Sequence, residues 1–162
     1  MTQESGARPQ SLFVECALSK SPERQVEPVH PRCLPVRLIL YAWAAPTTLL
    51  GLTAGLVTLA TGGKVQRRRG ALEFYGGFAT WGSRRIGFLA MTLGHVILGS
   101  GAAELDLVRD HEQAHVRQAE AWGPAFIPAY LLASVLAWRR GGHYYRDNWF
   151  ERDARRAAGE PE

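Results

Sequence analysis

The chain has 162 residues, which suits one domain with a modest core, and its apolar fraction of 46% is ordinary for a folded protein. The formal net charge of +4 does not indicate nucleic-acid binding, because no aromatic residues are interleaved with the basic ones. Cys16 and Cys33 lack any metal-like spacing, so neither a disulfide framework nor a cysteine metal site is expected.

Residues 1–35 are polar and rich in proline, without sustained hydrophobic periodicity. We expect a disordered N-terminal extension, and a start codon placed too far upstream would give the same signature. Residues 38–61 then carry no charged side chain and are long enough to cross the roughly 30 Å apolar core of a bilayer. The prediction is a transmembrane helix over residues 36–62; a buried helical hairpin in a soluble core is the alternative.

Basic residues are unequally distributed around this predicted helix. Lys64, Arg67, Arg68, Arg69, Arg84 and Arg85 follow it, whereas Arg32 and Arg37 precede it. By the positive-inside tendency, the C-terminal domain is predicted to be cytoplasmic, with the membrane lipid bilayer as a partner. The arginines also suit attraction to anionic lipid.

Short apolar runs cut by glycine occupy residues 71–98. Residues 71–78 and 86–98 are predicted to form a small, Gly-rich antiparallel sheet, with turns at residues 76–77 and 82–83. The end of this segment, residues 93–98, runs directly into the next helix. We interpret His95 within it as structural rather than as a metal ligand.

Residues 102–122 have the pattern of one amphipathic helix that ends before Gly123 and Pro124. At about 100° per residue, a single arc collects Leu105, Val108, His111, Glu112, His115, Ala119 and Trp122. The inward face therefore carries two imidazoles and a carboxylate where a plain helix would carry leucine or valine. Burying such groups without partners costs several kcal/mol, so something must satisfy them.

His111, Glu112 and His115 form an H-E-x-x-H pattern. Histidines at i and i+4 lie one turn apart, so both can reach a single ion at about 2.0–2.1 Å, the usual Zn–N distance. Glu112 lies beside them and is placed to hold and deprotonate a water on that ion. The alternative is a pair of core histidines satisfied by backbone or solvent.

Residues 122–138 are uncharged but short for a membrane span. We expect a helix that packs on the motif helix or dips into the membrane interface, and a second span is the alternative. A loop then presents His143, Tyr144 and Tyr145, each of which suits polarising a carbonyl oxygen in a transition state.

The last predicted helix contains Glu151 within residues 148–154, N-W-F-E-R-D-A. Asp147 or Asn148 is placed to cap this helix, and Asp153 or Asn148 to orient the imidazoles. Together with the H-E-x-x-H pattern, this segment resembles the zincin metallopeptidases of the gluzincin type, whose third ligand is a glutamate in N-x-x-E-x-x-A on a later helix. The resemblance implies that Glu151 is the third metal ligand.

The chain departs from the gluzincin and metzincin sequence patterns at several positions. Trp149 stands where some gluzincin relatives have proline. The metzincin extension is absent, since Gln118 takes its glycine position and Ala121 its last histidine position. The resemblance covers residues 71–158.

The resemblance implies an α+β, zincin-like metal-binding domain over residues 63–158, with residues 159–162 as a tail. In such a domain the sheet comes first, followed by the motif helix, an apolar helix and a Glu-bearing C-terminal helix. Zincin-like folds place an edge strand beside the motif helix, where an extended peptide pairs by strand addition. Residues 93–98 are the predicted edge strand for such a peptide substrate, and a plain core strand is the alternative.

The prediction for function is a membrane-anchored zinc metallopeptidase, in which Zn²⁺ is held by His111, His115 and Glu151 and Glu112 is the general base. Peptide-bond hydrolysis is implied by the resemblance, whereas spacing alone indicates a metal site with a nearby carboxylate. The alternative is a non-catalytic membrane protein in which the metal, or a His–Glu hydrogen-bond cluster, staples two helices. A di-iron carboxylate site is a weaker option, because it needs a second Glu-x-x-His helix.

Overall fold

The computed structural model describes residues 34–161 and has an α+β fold, as predicted. The predicted extension lies outside the described residues except for its last two positions, where the first helix begins, and both cysteines lie outside them too. In chain order the elements are α1 (Leu34–Trp43), α2 (Ala45–Ala60), β1 (Lys64–Arg68), β2 (Ala71–Tyr75), α3 (Gly77–Ile86), β3 (Ala90–Leu93), β4 (Val96–Gly99), α4 (Ala102–Trp122), a 3₁₀ turn (Gly123–Ala125), α5 (Phe126–Arg139) and α6 (Trp149–Ala158).

The N-terminal apolar segment forms two helices, so the single transmembrane helix predicted for residues 36–62 is not supported. α1 ends at Trp43, a turn follows at Ala44, and α2 begins with Pro46 in its first turn. Proline has no backbone N–H and its ring clashes with the preceding helical turn, so the helix is interrupted just before it.

Within the described residues, one helical stretch, Ala102–Arg139, is long and apolar enough to cross a membrane by length and composition. It combines α4, the 3₁₀ turn and α5. Length and composition are weak grounds, since the core helix of a soluble protein meets the same criterion. α5 supplies the apolar part, because charged side chains are spread along α4.

The four strands form one sheet in the order β1-β2-β4-β3. β1 pairs with β2 and β3 with β4 in antiparallel fashion, but β2 and β4 are parallel. The predicted all-antiparallel sheet is therefore wrong for its central pair. Parallel neighbours need a crossover connection, which α3 and β3 supply. The turn predicted at residues 82–83 lies inside α3.

The strand predicted over residues 86–98 is divided. The chain turns after Leu93 at Gly94, whose φ of +63° favours glycine, and β4 then lies between β2 and β3. Residues 93–98 are therefore not an edge strand. β3 is the sheet edge nearest α4 in the part of the chain that the structure describes.

Helices cover both faces of the sheet, with α2 and α3 on one face and α4 on the other. On β4, Val96 packs with α2 and α3 side chains, whereas Ile97 packs with Leu105 of α4. Glycine lets α2 lie close to the sheet, because a Cβ at Gly55 would stand 2.7 Å from the Phe74 ring.

α5 and α6 also pack against α4. Ala119, Phe126 and Phe150 form the cluster that joins the three helices. Near the same place, Trp43 lies against Gly123, where an added Cβ would stand 2.4 Å from the indole. α4 is thus held between the sheet and the α5–α6 pair, with the end of α1 at its C-terminus.

Candidate metal centre

The predicted helix over residues 102–122 is confirmed, since α4 has these bounds. Gly123 ends it with a φ of +53°, a conformation that residues with side chains rarely adopt. His111, Glu112 and His115 are all buried along α4, as the sequence pattern predicts.

The three predicted metal ligands converge at one point. Nε2 of His111 and Nε2 of His115 lie 3.1 Å apart. The carboxylate of Glu151 reaches both rings, with Oε2 3.2 Å from Nε2 of His111 and Oε1 3.2 Å from Nε2 of His115. The donor atoms all lie within 4.8 Å of one another, and Glu151 is only 2% exposed. A buried His–His–Glu group of this kind can hold a metal ion.

The start of α6 positions Glu151. Asn148 caps this helix, because its side-chain oxygen accepts a hydrogen bond of 2.8 Å from the Phe150 N–H. Its side-chain nitrogen donates to the Tyr130 carbonyl at 3.1 Å and to Ser134 Oγ at 2.7 Å. Asn148 therefore fixes the first turn of α6 to α5 and caps it at the same time.

Two tyrosines contact the ligand carboxylate. The Tyr130 hydroxyl donates to Oε1 of Glu151 at 2.6 Å, and Tyr145 also forms a side-chain hydrogen bond with Glu151. Burial raises the pKa of Tyr145, and the negative charges of Glu151 and Glu112 raise it further, so this hydroxyl stays a donor. No pattern in the sequence indicates the contact between Tyr130 and Glu151.

The donor set fits a cation. Oε2 of Glu151 is buried and lies 3.2 Å from Nε2 of His111, so its lone pairs are directed at the imidazoles. Burial alone would raise the pKa of Glu151, but the hydrogen bonds and charges of His111 and His115 hold that pKa well below its usual range. The carboxylate is thus ionised, the form that binds a metal.

Each imidazole has a partner at its other nitrogen. Nδ1 of His115 lies 2.8 Å from Oε1 of Gln118, and Nδ1 of His111 lies 3.4 Å from a carboxylate oxygen of Glu160. Partners that accept the Nδ1 proton leave Nε2 free for a metal. Gln118 is i+7 from His111, a helical spacing that signals a shared face. Glu160 belongs to the segment predicted as a tail.

Asn148 and Asp153 are the residues predicted to orient the imidazoles, but neither has a described hydrogen bond to a ring. Asp153 accepts a hydrogen bond of 2.7 Å from Gln118, which in turn contacts His115. Asn148 bonds to α5 and to its own helix rather than to a ring. Gln118 therefore connects Asp153 of α6 to the predicted metal ligand His115.

The predicted general base is held by the sheet edge. Oε2 of Glu112 accepts a 2.6 Å hydrogen bond from the Thr92 hydroxyl, and both residues are buried. Thr92 lies in β3, so the strand at the edge of the sheet sets the direction of this carboxylate. The other carboxylate oxygen, Oε1, is the atom available for proton transfer.

Other candidates from the sequence lie apart from the ligands. His95 contacts Thr48 through Nδ1 and Glu120 through Nε2, both at 3.3 Å, and its ring packs against Tyr41, which agrees with a structural role. His143 accepts two backbone N–H bonds within its own loop, and Tyr144 stacks on its ring. Of the three loop residues predicted to polarise a carbonyl group, Tyr145 alone has a described bond to the ligand set.

These features define a class of site: a buried His–His–Glu group on two packed helices, with a carboxylate beside it, in an α+β domain. Comparison of the chain with protein-family models, with curated proteins and with solved structures finds no match.

Proposed function

We propose that this protein is a membrane-associated, zinc-dependent hydrolase that cleaves peptide bonds. The observation that carries the proposal is the convergence of His111, His115 and Glu151 on one point, with Glu112 buried next to His111 in the same helix. Three protein ligands leave one position of a tetrahedral zinc site open, which is the arrangement of catalytic sites.

Zinc is the proposed metal because two imidazoles and one carboxylate suit its borderline-soft character. When bound, it supplies Lewis acidity that brings the pKa of a coordinated water to about 7. Glu112 accepts a proton from the attacking water and returns it to the leaving amine. The Thr92 hydroxyl holds the carboxylate in position for both transfers.

The peptide is proposed to bind along β3 rather than along residues 93–98. β3 is the edge strand beside α4 and carries Thr92, the partner of Glu112. An extended chain paired with β3 would place its carbonyl groups near that carboxylate. Specificity would then come from side chains that alternate along the added strand.

Lipid contact is proposed for the outer faces of α1, α2 and α5. All three helices expose large apolar side chains, among them Leu38, Ile39, Leu56, Leu131, Leu132 and Trp138. Patches of this kind mark interaction or membrane surfaces. A cytoplasmic location of the metal domain stays a prediction from the basic residues that follow residue 62. Alkaline extraction of membranes tests attachment, and protease protection tests the side.

A structural staple is the competing function, and the burial of the ligands favours it. His111, His115 and Glu151 are each less than a tenth exposed and join α4 to α6. A metal that only fixed these two helices would need no access for substrate and no general base. The staple therefore predicts metal binding without hydrolysis.

Glu112→Gln separates the two functions. The wild-type protein in detergent is expected to contain about one zinc ion and to cleave members of a fluorogenic peptide library. The variant should keep its zinc and lose about 10²-fold or more of the hydrolytic rate, because glutamine cannot accept the proton. Glu104→Gln makes the same change in the first turn of α4. This variant is the matched control and should retain activity.

Three results would decide the matter. Loss of activity in Glu112→Gln with zinc retained supports the hydrolase. Stoichiometric zinc without cleavage of any library peptide supports the staple. No zinc bound by the wild-type protein would overturn both metal-based functions.

A further inference from the structure

α3 buries small side chains and exposes large apolar ones. Its buried residues are Ala79, Gly82 and Ser83, which are small, whereas Trp81 is 59% exposed and Ile86 is 73% exposed. A helix on the surface of a soluble domain buries its large apolar residues. Burial against the core therefore does not account for the aromatic residues of this helix.

The outward residues of α3 form one coherent surface. At about 100° per residue, Phe78, Trp81, Arg84 and Arg85 share an arc of about 120°. We call these four residues the α3 face. The two aromatic rings stack on each other, with centroids 5.5 Å apart. They are thus ordered by mutual contact at the surface.

The charged residues of the α3 face are all basic. α3 contains no acidic residue, both arginines lie exposed in its last turn, and neither has a carboxylate partner within residues 34–161. Lys64, another exposed basic residue, pairs in the sheet with Tyr75, two residues before α3 begins. The charge favours an anionic partner.

The α3 face continues the apolar outer face of α2. The Phe78 N–H donates a 2.7 Å hydrogen bond to Thr61 Oγ1, directly after the end of α2. α2 has the same arrangement, with Gly51 and Gly55 buried and Leu56 exposed. Small residues inward and leucines outward are typical of helices that contact lipid chains.

From α2 to α3 the surface therefore changes from leucine to aromatic residues and then to arginine. This is the order of polarity in one leaflet of a bilayer, from hydrocarbon through the interface to the phosphates. Tryptophan prefers the interface, and arginine forms charge-assisted hydrogen bonds with phosphate. A protein partner would not require this order.

We propose that the α3 face binds the headgroup layer of an anionic membrane, with Trp81 and Phe78 in the interface and Arg84 and Arg85 on lipid phosphates. This interaction rests on the membrane association in the proposed function, to which it adds the lipid class, and it does not depend on the metal centre. It gives the protein a preference for anionic over neutral lipid.

The test uses the full chain, purified in mild detergent and diluted into vesicles of phosphatidylcholine or of phosphatidylcholine with phosphatidylglycerol. Wild type should bind the anionic vesicles more tightly in a flotation assay. Arg84→Glu combined with Arg85→Glu should lower that affinity about tenfold or more and leave binding to neutral vesicles unchanged. Arg117→Glu with Arg152→Glu, two exposed arginines elsewhere, makes the same change in net charge and is the matched control.

A second measurement needs no variant. Raising the salt from about 0.1 to 1 M shortens the Debye length from about 10 to 3 Å, so wild-type binding to anionic vesicles should fall toward its value for neutral ones. Circular dichroism and zinc content of the variants report whether they fold. Equal affinity for both vesicles, an equal loss in the matched control, or a protein complex through the α3 face without vesicle binding would each overturn the proposal.

Discussion

The side-chain oxygen of Gln118 lies 2.8 Å from Nδ1 of His115. An amide oxygen can only accept, so Nδ1 of His115 carries a proton and Nε2 is the ring nitrogen that faces Glu151 and would bind a metal ion. The amide nitrogen of the same side chain donates to the Phe150 carbonyl at 3.0 Å. Gln118 therefore sets the form of one ligand and ties it to the helix that carries another.

Replacing Gln118 with alanine should weaken zinc binding about 10- to 100-fold, because the His115 ring loses the group that fixes its tautomer and direction. Competition with a chromophoric chelator measures the affinity. Gln113→Ala removes the same side chain from a position on α4 with no described contact to the ligands, so it should bind zinc like wild type. Equal affinities for all three proteins would contradict the role of Gln118.

Tyr130→Phe should also reduce zinc affinity, again by about tenfold or more, since the variant loses the hydroxyl that holds Oε1 of Glu151. Without metal, the buried carboxylate loses a donor, and the free energy of unfolding should fall by about 1–3 kcal/mol. Chelator competition and urea denaturation measure the two effects. Tyr144→Phe, which alters an exposed hydroxyl, is the control and should change neither.

Zinc should raise the thermal stability of wild type but not that of His111→Ala. A ligand at 100 times its dissociation constant stabilises the native state by about 2.7 kcal/mol, so the unfolding temperature should rise by several degrees. Calorimetry with and without a chelator measures the shift. His143→Ala removes an exposed histidine from the loop before α6 and should respond to zinc as wild type does. A zinc-dependent rise in His111→Ala would place the metal elsewhere.

Thr92→Val should lower the hydrolytic rate without loss of zinc, because the variant no longer holds Glu112. A misdirected general base costs part of the 10²- to 10⁴-fold that general base catalysis contributes. Steady-state kinetics with elemental analysis of the same sample separate rate from metal content. Thr53→Val, on the exposed side of α2, is the control. An unchanged rate would show that β3 does not position the carboxylate.

Replacing each of two glycines with alanine should change the free energy of unfolding in opposite directions. Gly55→Ala places a Cβ 2.7 Å from the Phe74 ring and should cost about 1–3 kcal/mol of unfolding free energy through overpacking. Gly82→Ala meets no atom within 4 Å and should stabilise the protein by about 0.4–1 kcal/mol, because it restricts the unfolded chain. Chemical denaturation measures both values. Similar effects at both sites would contradict the packing of α2 on the sheet.

The local parts of this fold were predictable from the sequence. Helical periodicity and Gly123 predict both ends of α4 correctly. Both signals are local, because the 3.6-residue repeat and the glycine that ends the helix involve residues close together in the chain. Glu151 was found through the resemblance and Asn148 through helix-capping chemistry, both within a few positions of each other. His111, Glu151 and His115 then met as expected.

The parts that depend on distant pairing were not predictable. Whether β2 pairs with β4 in parallel depends on contacts such as Leu72 with Val96, which no local pattern encodes. Most of α3 is predicted as a connection between strands, with turns at residues 76–77 and 82–83, because its glycines look like turns between short apolar runs. Tyr130 and Glu160 reach the ligands only after α5 and the end of the chain fold back, so neither carries a local signal.

The contact between Trp43 and Gly123 has a mechanical consequence. It joins the break between α1 and α2 to the end of α4, the helix that carries both histidines. Because the indole lies against Gly123, the break between α1 and α2 cannot be displaced without separating Trp43 from the end of α4 or moving that end with it. The position of the break and the position of the histidine-bearing helix are thereby coupled.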